Sequence, residues 1–258
     1  MPSVDDFYLF RIVEQYKLSS VPDFSTYFNV ELPLKKHINN WALLNGLTLC
    51  QIKISGSRAK GTAISLSSDF DLFISLSSST TPTLENVYDS LYKHFALLGY
   101  NVRKQNVSIG VNINGIKVDL VPAVRQSQYG NNHSLYRSKK KTWTKTNIDI
   151  HINTVKNSGR LYEIMALKIW RERHFLDFPS IYLELFTLKA LHGKKICDWA
   201  TNFNHLLMYI YLNIEKSCII DPANLSNHIS DDLTQVEKKK IANQALSDLV
   251  KPLAQIIW

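Results

Sequence analysis

Three acidic residues and a glycine-rich segment are the parts of this sequence whose types and spacing can do chemistry. Gly56-Ser57 is followed by Lys60-Gly61-Thr62, then by Asp69-Phe70-Asp71, and then by Asp119 within Val118-Asp119-Leu120-Val121. Gly56 and Gly61 let the backbone approach a ligand closely, and Ser57 and Thr62 add small hydroxyls. A loop between a strand and a helix also offers free backbone N–H groups to an anion such as phosphate. Asp69 and Asp71 stand two apart on an expected strand, so their side chains share a face. Asp119 is costly among apolar neighbours unless it is exposed on the face of a sheet or ligated. Three carboxylates on one face repel one another unless cations stand among them, and oxygen-only ligands suit Mg²⁺ or Mn²⁺. Two such ions would activate an attacking hydroxyl and steady a leaving pyrophosphate. A Gly-Ser pair or an Asp-x-Asp alone is common; the combination in this order, with a third Asp in an apolar strand, is specific.

The elements that must position these residues follow from hydrophobic periodicity. Helical spacing runs from Asp5 to Leu18 and from Leu34 to Leu44, where Asn45-Gly46 ends it. Leu47 to Ile54 and Asp69 to Leu76 read as strands on either side of the glycine-rich segment, and Leu84 to Leu98 reads as a helix. Asn114-Gly115 signals a hairpin whose second arm, Ile116 to Val121, is expected to stop at Pro122. Gln126 to Thr146 is polar, basic and poor in aliphatic residues, which predicts a surface loop. From Gly159 onward the spacing is helical: Leu161 to His174, Ser180 to His192, Trp199 to Ile214 and Asp232 to Leu249. The expected fold class is α+β, a mixed β-sheet with flanking helices over residues 1–150 followed by an α-helical domain over 151–258. The first helix is free to pack on either part.

The bulk properties are those of an ordinary globular chain. It has 258 residues, 45 % of them hydrophobic and 20 % charged, enough to bury a core without disulfides or a structural metal. Thirty Lys and Arg against 22 Asp and Glu give a net charge of +8, a balance that favours polyanions such as nucleotides or RNA. Cys50, Cys197 and Cys218 are odd in number and widely spaced, which reads as reduced thiols of a cytoplasmic protein. Asp5 and Asp6 stand where an export signal needs positive charge, and no apolar run approaches the roughly 20 residues of a membrane span. The eight histidines have no zinc-ligand spacing.

Gly56-Ser57, Asp69-Phe70-Asp71 and Asp119 resemble the hG[GS]…Dh[DE]h…h[DE]h pattern of the DNA polymerase β-like nucleotidyltransferases. Gly56-Ser57-Arg58-Ala59-Lys60-Gly61-Thr62 and Val118-Asp119-Leu120-Val121-Pro122-Ala123 are similar to the template-independent branch, which includes the cGAS/DncV-like enzymes (CD-NTases) of bacterial anti-phage defence. Leu167-Lys168-Ile169-Trp170, Phe178-Pro179-Ser180-Ile181-Tyr182-Leu183-Glu184 and the Asp221-Pro222…Asn227 segment resemble its helical lobe, so the likeness spans about residues 47–230. The resemblance implies a polymerase β-like core closed by that lobe. It also implies that Asp69 and Asp71 hold both metals and that Asp119 completes the one at the acceptor hydroxyl. Gly56 and Ser57, helped by Lys60 and Thr62, would bind the donor phosphates, and Lys168 and Ser180 would reach the triphosphate. The alternative for Lys168 is a lysine snorkelling at the edge of the core. Eukaryotic relatives carry a base-stacking aromatic after the serine; Ile181 stands there here, so stacking falls to another side chain such as Tyr182.

Three functions are compatible with these residues. The first is synthesis of a cyclic or linear oligonucleotide messenger from nucleoside triphosphates, ATP or GTP among them, with the product read by a separate effector. The second is extension of an RNA 3′ end, for which the basic, Trp143-containing stretch from Arg137 to Lys145 would supply charge and stacking, unless it is simply a solvated loop. The third is a nucleotide- or RNA-binding module without catalysis, which the presence of all three Asp argues against.

Overall fold

The computed structural model describes residues 2–67 and 69–258, which gather into two compact units. One holds residues 19–59 and 69–152; the other holds 2–18, 60–67 and 153–258. The chain therefore does not divide once near residue 150. Helix α1 (Val4–Tyr16) joins the second unit, because its apolar stripe of Leu9, Ile12 and Val13 belongs to that unit's core.

The first unit is a mixed sheet backed by helices. A short helix α2 (Phe24–Thr26) runs through one π-helical turn into α3 (Leu32–Leu44). Strand β1 (Leu49–Ile54), the one-turn helix α4 (Gly56–Lys60) and β2 (Phe70–Leu76) follow. Next come α5 (Leu84–Leu97), β3 (Asn101–Lys104), β4 (Ile109–Ile113), β5 (Ile116–Arg125), β6 (His133–Arg137), β7 (Thr142–Thr146) and α6 (Ile148–Lys156). The order across the sheet is β1-β2-β5-β4-β3, with β6 on β5 and β7 on β6; among the described residues only the β2–β5 pair is parallel. Alternation decides the faces. Phe70, Leu72 and Ile74 of β2, with Val118 and Leu120 of β5, pack with Leu34, Ile38 and Trp41 of α3 and Val87, Leu91 and Phe95 of α5. The residues between them, Asp71 and Asp119 included, are thereby turned to the opposite face.

The hairpin at Asn114-Gly115 forms as expected, both residues having positive φ (53° and 81°), the backbone of a two-residue primed turn. Two expectations fail. Strand β5 does not stop at Pro122 but continues to Arg125. Pro122 falls between the last β4 partner, at Leu120, and the first β6 partner, at Val124, so that edge of the ladder loses no bond there. Nor is 126–146 a loop: it contains the hairpin of β6 and β7. Leu135 is its one buried aliphatic among the described residues, and the other buried positions are held by hydrogen-bonded groups. His133 Nε2 lies 2.8 Å from Ser75 Oγ, and the Tyr136 hydroxyl donates to Glu85 at 2.6 Å. Hydrophobic periodicity could not see them.

The second unit is helical: α7 (Leu161–Arg173), α8 (Ser180–Ala190), α9 (Trp199–Asn213), α10 (Gln235–Asp248) and α11 (Leu253–Ile256) join α1. A two-stranded hairpin, β8 (Ile220–Asp221) and β9 (Asn224–His228), holds the Asp-Pro…Asn segment, with Asp221 accepting from the Ala223 N–H and the Asn227 amide. Helix α7 is buried over nearly its whole circumference, as a central helix must be. Its charged residues therefore find internal partners: Glu163 accepts from Arg160 at 3.0 Å and Asn202 at 2.9 Å. No helix among the described residues is long and apolar enough to cross a membrane.

Candidate active site

The end of β1 brings the glycine-rich segment against β2. The Ser55 N–H donates to the Asp71 carbonyl at 2.9 Å, and Gly56 then adopts φ +60° with its Cα against the Asp71 carboxylate. A Cβ at residue 56 would lie 1.8 Å from Asp71 Oδ2, so only glycine allows this approach. Ser57 is the second residue of the single turn of α4. Arg58, to which the sequence alone gave no role, packs its guanidinium 5.6 Å from the centre of the Phe70 ring and donates to the Ser19 carbonyl at 3.1 Å. Burial lowers its pKa, while the charges of Asp23 and Asp71 favour the cation.

Asp71 and Asp119 are direct partners in the parallel β2–β5 ladder, about one strand spacing, 4.8 Å, apart. Asp69 stands one residue before β2, and its charge is felt at Asp119. Burial pushes the Asp119 carboxyl up and the Asp69 charge adds to it; Arg103, Ser108 and Gln105 oppose the rise. Gln105 Nε2 donates to Asp119 Oδ1 at 2.8 Å and Ser108 Oγ to Oδ2 at 3.3 Å. Tyr88 fixes the turn that carries both, donating to the Gln105 and Ser108 carbonyls at 2.8 and 2.9 Å. These partners were invisible in the sequence because strand register, not spacing along the chain, delivers them. Among the described residues no group of three or more His, Cys, Asp or Glu side chains is gathered tightly enough to form a ligand set as placed. The donor chemistry still fits a hard divalent cation: carboxylate oxygens only, with one carboxyl pushed up by burial and then by a like charge, a cost that a cation relieves.

The remaining expected residues meet inside the helical unit. Lys60 Nζ donates to Glu184 Oε2 at 2.7 Å, and Thr62 Oγ1 donates to Glu184 Oε1 at 2.9 Å. Lys168 Nζ donates to Glu184 Oε1 at 2.6 Å, Thr62 Oγ1 at 2.9 Å and the Thr62 carbonyl at 3.3 Å. All three protons of the Lys168 ammonium thus have acceptors, and the side chain is buried, not snorkelling. Burial alone would push the Glu184 carboxyl up; the two ammoniums outweigh it and hold the pKa at about 2. Ser180 does not join Lys168. It accepts from Arg171 Nη1 at 3.0 Å, while Arg171 Nη2 reaches Ser67 Oγ at 3.2 Å. Arg171 is one helical turn beyond Lys168, the signal that could have found it. Tyr182 is fully buried against Phe178 and Phe186, so it cannot stack on a base.

The parallel β2–β5 pair with its facing carboxylates, the glycine loop beside it and the helical unit together make a mixed α+β fold of the polymerase β-like nucleotidyltransferase kind. Residues 33–158 match the family model described as Second Messenger Oligonucleotide or Dinucleotide Synthetase domain. The chain as a whole has the fold of the CD-NTases. It is similar to CdnC of E. coli MS115-1, solved with ATP: 20 % identity over 98 % of this chain and 95 % of that one, TM-score 0.75. CdnG of Bradyrhizobium diazoefficiens, in complex with GTP, is 12 % identical over 96 % of this chain and 89 % of that one, TM-score 0.74. The Cid1 poly(U) polymerase, bound to MgATP, is 10 % identical over 97 % and 96 %, TM-score 0.66. No curated protein sequence matches the chain.

Proposed function

We propose that this protein is a template-independent nucleotidyltransferase that joins nucleoside triphosphates into a cyclic or linear oligonucleotide messenger and releases pyrophosphate. The observation that carries this reading is the direct pairing of Asp71 with Asp119 on parallel strands, with the Gly56 backbone packed against Asp71. The matched synthetase domain supports it. In the reaction a ribose hydroxyl of the acceptor attacks the α-phosphorus of the donor. The new O–P bond forms as the α–β bridge breaks; pyrophosphate takes the electron pair, and the hydroxyl proton passes to a site carboxylate or to water.

Asp69, Asp71 and Asp119 are the residues that would hold Mg²⁺ or Mn²⁺, two ions in number, which lower the pKa of an acceptor hydroxyl and neutralise a leaving pyrophosphate. Gly56 and Ser57 present backbone N–H groups and a hydroxyl to the donor phosphates. In the helical unit we assign phosphate contact to Ser180 and its partner Arg171. Lys60, Thr62 and Lys168 serve the donor by fixing the 60–62 segment around Glu184. We extend to this chain a cytoplasmic role in bacterial anti-phage defence, its product read by a separate effector. The HORMA-deltaN bound to CdnC is a partner of that protein.

Likeness to both CdnC and a poly(U) polymerase means that fold alone does not choose between messenger synthesis and RNA tailing. The deciding experiment supplies labelled nucleoside triphosphates with Mg²⁺ or Mn²⁺, with and without an RNA primer, and resolves products before and after phosphatase. Pyrophosphate release without primer and a short product are expected, a phosphatase-resistant product marking a ring. Primer-dependent tailing would overturn the messenger reading. Undiminished activity after joint Asp69→Asn and Asp71→Asn replacement would overturn the nucleotidyltransferase reading itself.

A further inference from the structure

The face of the sheet that bears Asp119 continues beyond it as a polar surface with no part in the reaction as described. On β3, β4 and β5 the apolar residues alternate towards the helices, which leaves Asn101, Arg103, Gly110, Asn112, Lys117 and Asp119 on the other face. They line an open cleft of about 190 Å³. Register sets Arg103 opposite Gly110 and Gly110 opposite Asp119. A Cβ on residue 110 would stand 2.8 Å from Arg103 Nε and 2.9 Å from Gln105 Nε2. The arginine stem therefore lies across the bare glycine, and its charge acts on Asp119. Lys117 lies two residues before Asp119 on the same strand and face, and it too is exposed. Among the described residues no carboxylate comes within salt-bridge distance of either cation.

Position decides what these cations can hold. The sheet order sets Gly56, at the β1 end, and Arg103, on β3, on opposite sides of the Asp71–Asp119 pair. Phosphates gripped at Gly56 would have to cross four strand spacings, roughly 19 Å, to reach β3. From Asp119 the distance is two spacings, roughly 10 Å, and the side chain leaning over Gly110 shortens it. Any anion here belongs to the molecule on the Asp119 side. A guanidinium fork grips phosphate oxygens in pairs, and Lys117 adds a point charge.

We propose that Arg103, with Lys117 beside it, forms a phosphate subsite for the acceptor, so that the nucleotide presenting its hydroxyl at Asp119 rests its own 5′-phosphates on this cleft. This rests on the nucleotidyltransferase reading. Both residues bind and position; neither touches the reacting atoms.

The test offers one labelled donor triphosphate and three acceptors: a nucleoside, its 5′-monophosphate and its 5′-triphosphate. In the wild-type protein KM falls as phosphates are added. Arg103→Ala should raise KM for the phosphorylated acceptors about fivefold to tenfold and leave the nucleoside within about twofold. Binding of a non-hydrolysable donor analogue should also stay within about twofold. Arg103→Lys should recover part of the preference, and Gly110→Ala, which keeps the charge but displaces the side chain, should erode it. Equal effects of Arg103→Ala on all three acceptors, or a parallel fall in donor binding, would overturn the subsite. A loss confined to RNA primers would overturn it as well, because the cleft would then read a polynucleotide backbone. Absence of pyrophosphate release by the wild-type protein would overturn the underlying reading and the subsite with it; release with an unchanged preference in Arg103→Ala overturns the subsite alone.

Discussion

At Gly56 the backbone is held at positive φ and its Cα faces the Asp71 carboxylate, so one methyl group decides where that carboxylate goes. Gly56→Ala forces a Cβ to within 1.8 Å of Oδ2 and adds the cost of a left-handed residue, about 1 kcal/mol. Turnover should fall at least about hundredfold while the melting temperature drops only a few degrees; pyrophosphate release and calorimetry on one preparation check both. Asp119 separates donor binding from chemistry. Asp119→Asn keeps the amide-sized side chain on the same strand, so a non-hydrolysable donor should bind within a few-fold of wild type. Turnover should nevertheless drop by about two orders of magnitude, the pattern of an interaction made chiefly in the transition state. If donor binding falls in step, Asp119 does not serve the acceptor. These residues were legible in the sequence because a glycine, two spaced carboxylates and a buried third are unusual together. Gln105, Ser108 and Arg103 were not: they lie 11 to 16 positions before Asp119, an interval with no meaning until β3 and β4 are laid in register beside β5.

Among the elements, α8 depends on one carboxylate. Glu184 is fully buried with Lys60 and Lys168 on it, and its pKa of about 2 lies below the unfolded value of 4.5. The unfolded chain therefore takes up the proton first as pH falls. The stabilisation is complete above about pH 4.5 and is lost as pH falls towards about 2. Glu184→Gln should remove this acid limb from a plot of melting temperature against pH. At neutral pH it should cost about 3–5 kcal/mol, because two ammoniums are left buried without an anion. An unchanged acid limb would refute the assignment. The helices of this unit were legible from apolar spacing, whereas the network was not, since Lys60 and Lys168 look alike whether they face phosphate or protein. Strands β6 and β7 escaped for a related reason: beside the single buried Leu135, inward positions are held by hydrogen bonds at His133 and Tyr136, which carry no hydrophobic period.

For the molecule as a whole, the excess of positive charge includes Lys139, Lys140 and Lys141, exposed with Trp143 on the β6–β7 hairpin. Neutralising the three lysines should weaken RNA binding and reduce its logarithmic salt slope by about 2. Messenger synthesis without primer should be unaffected. Loss of primer-free turnover in this variant would favour an RNA-dependent enzyme. The boundary expected near residue 150 was only half legible, because which core an amphipathic helix joins is not written in its own periodicity. Helix α1 packs with α7 and α9, and α7 begins only at Leu161. During synthesis at 5–20 residues per second, the apolar stripe of α1 therefore waits roughly ten to thirty seconds for its partners. Residues 19–59 and 69–152 of the sheet unit are all made in that interval, so α1 is synthesised well before the helices it packs against.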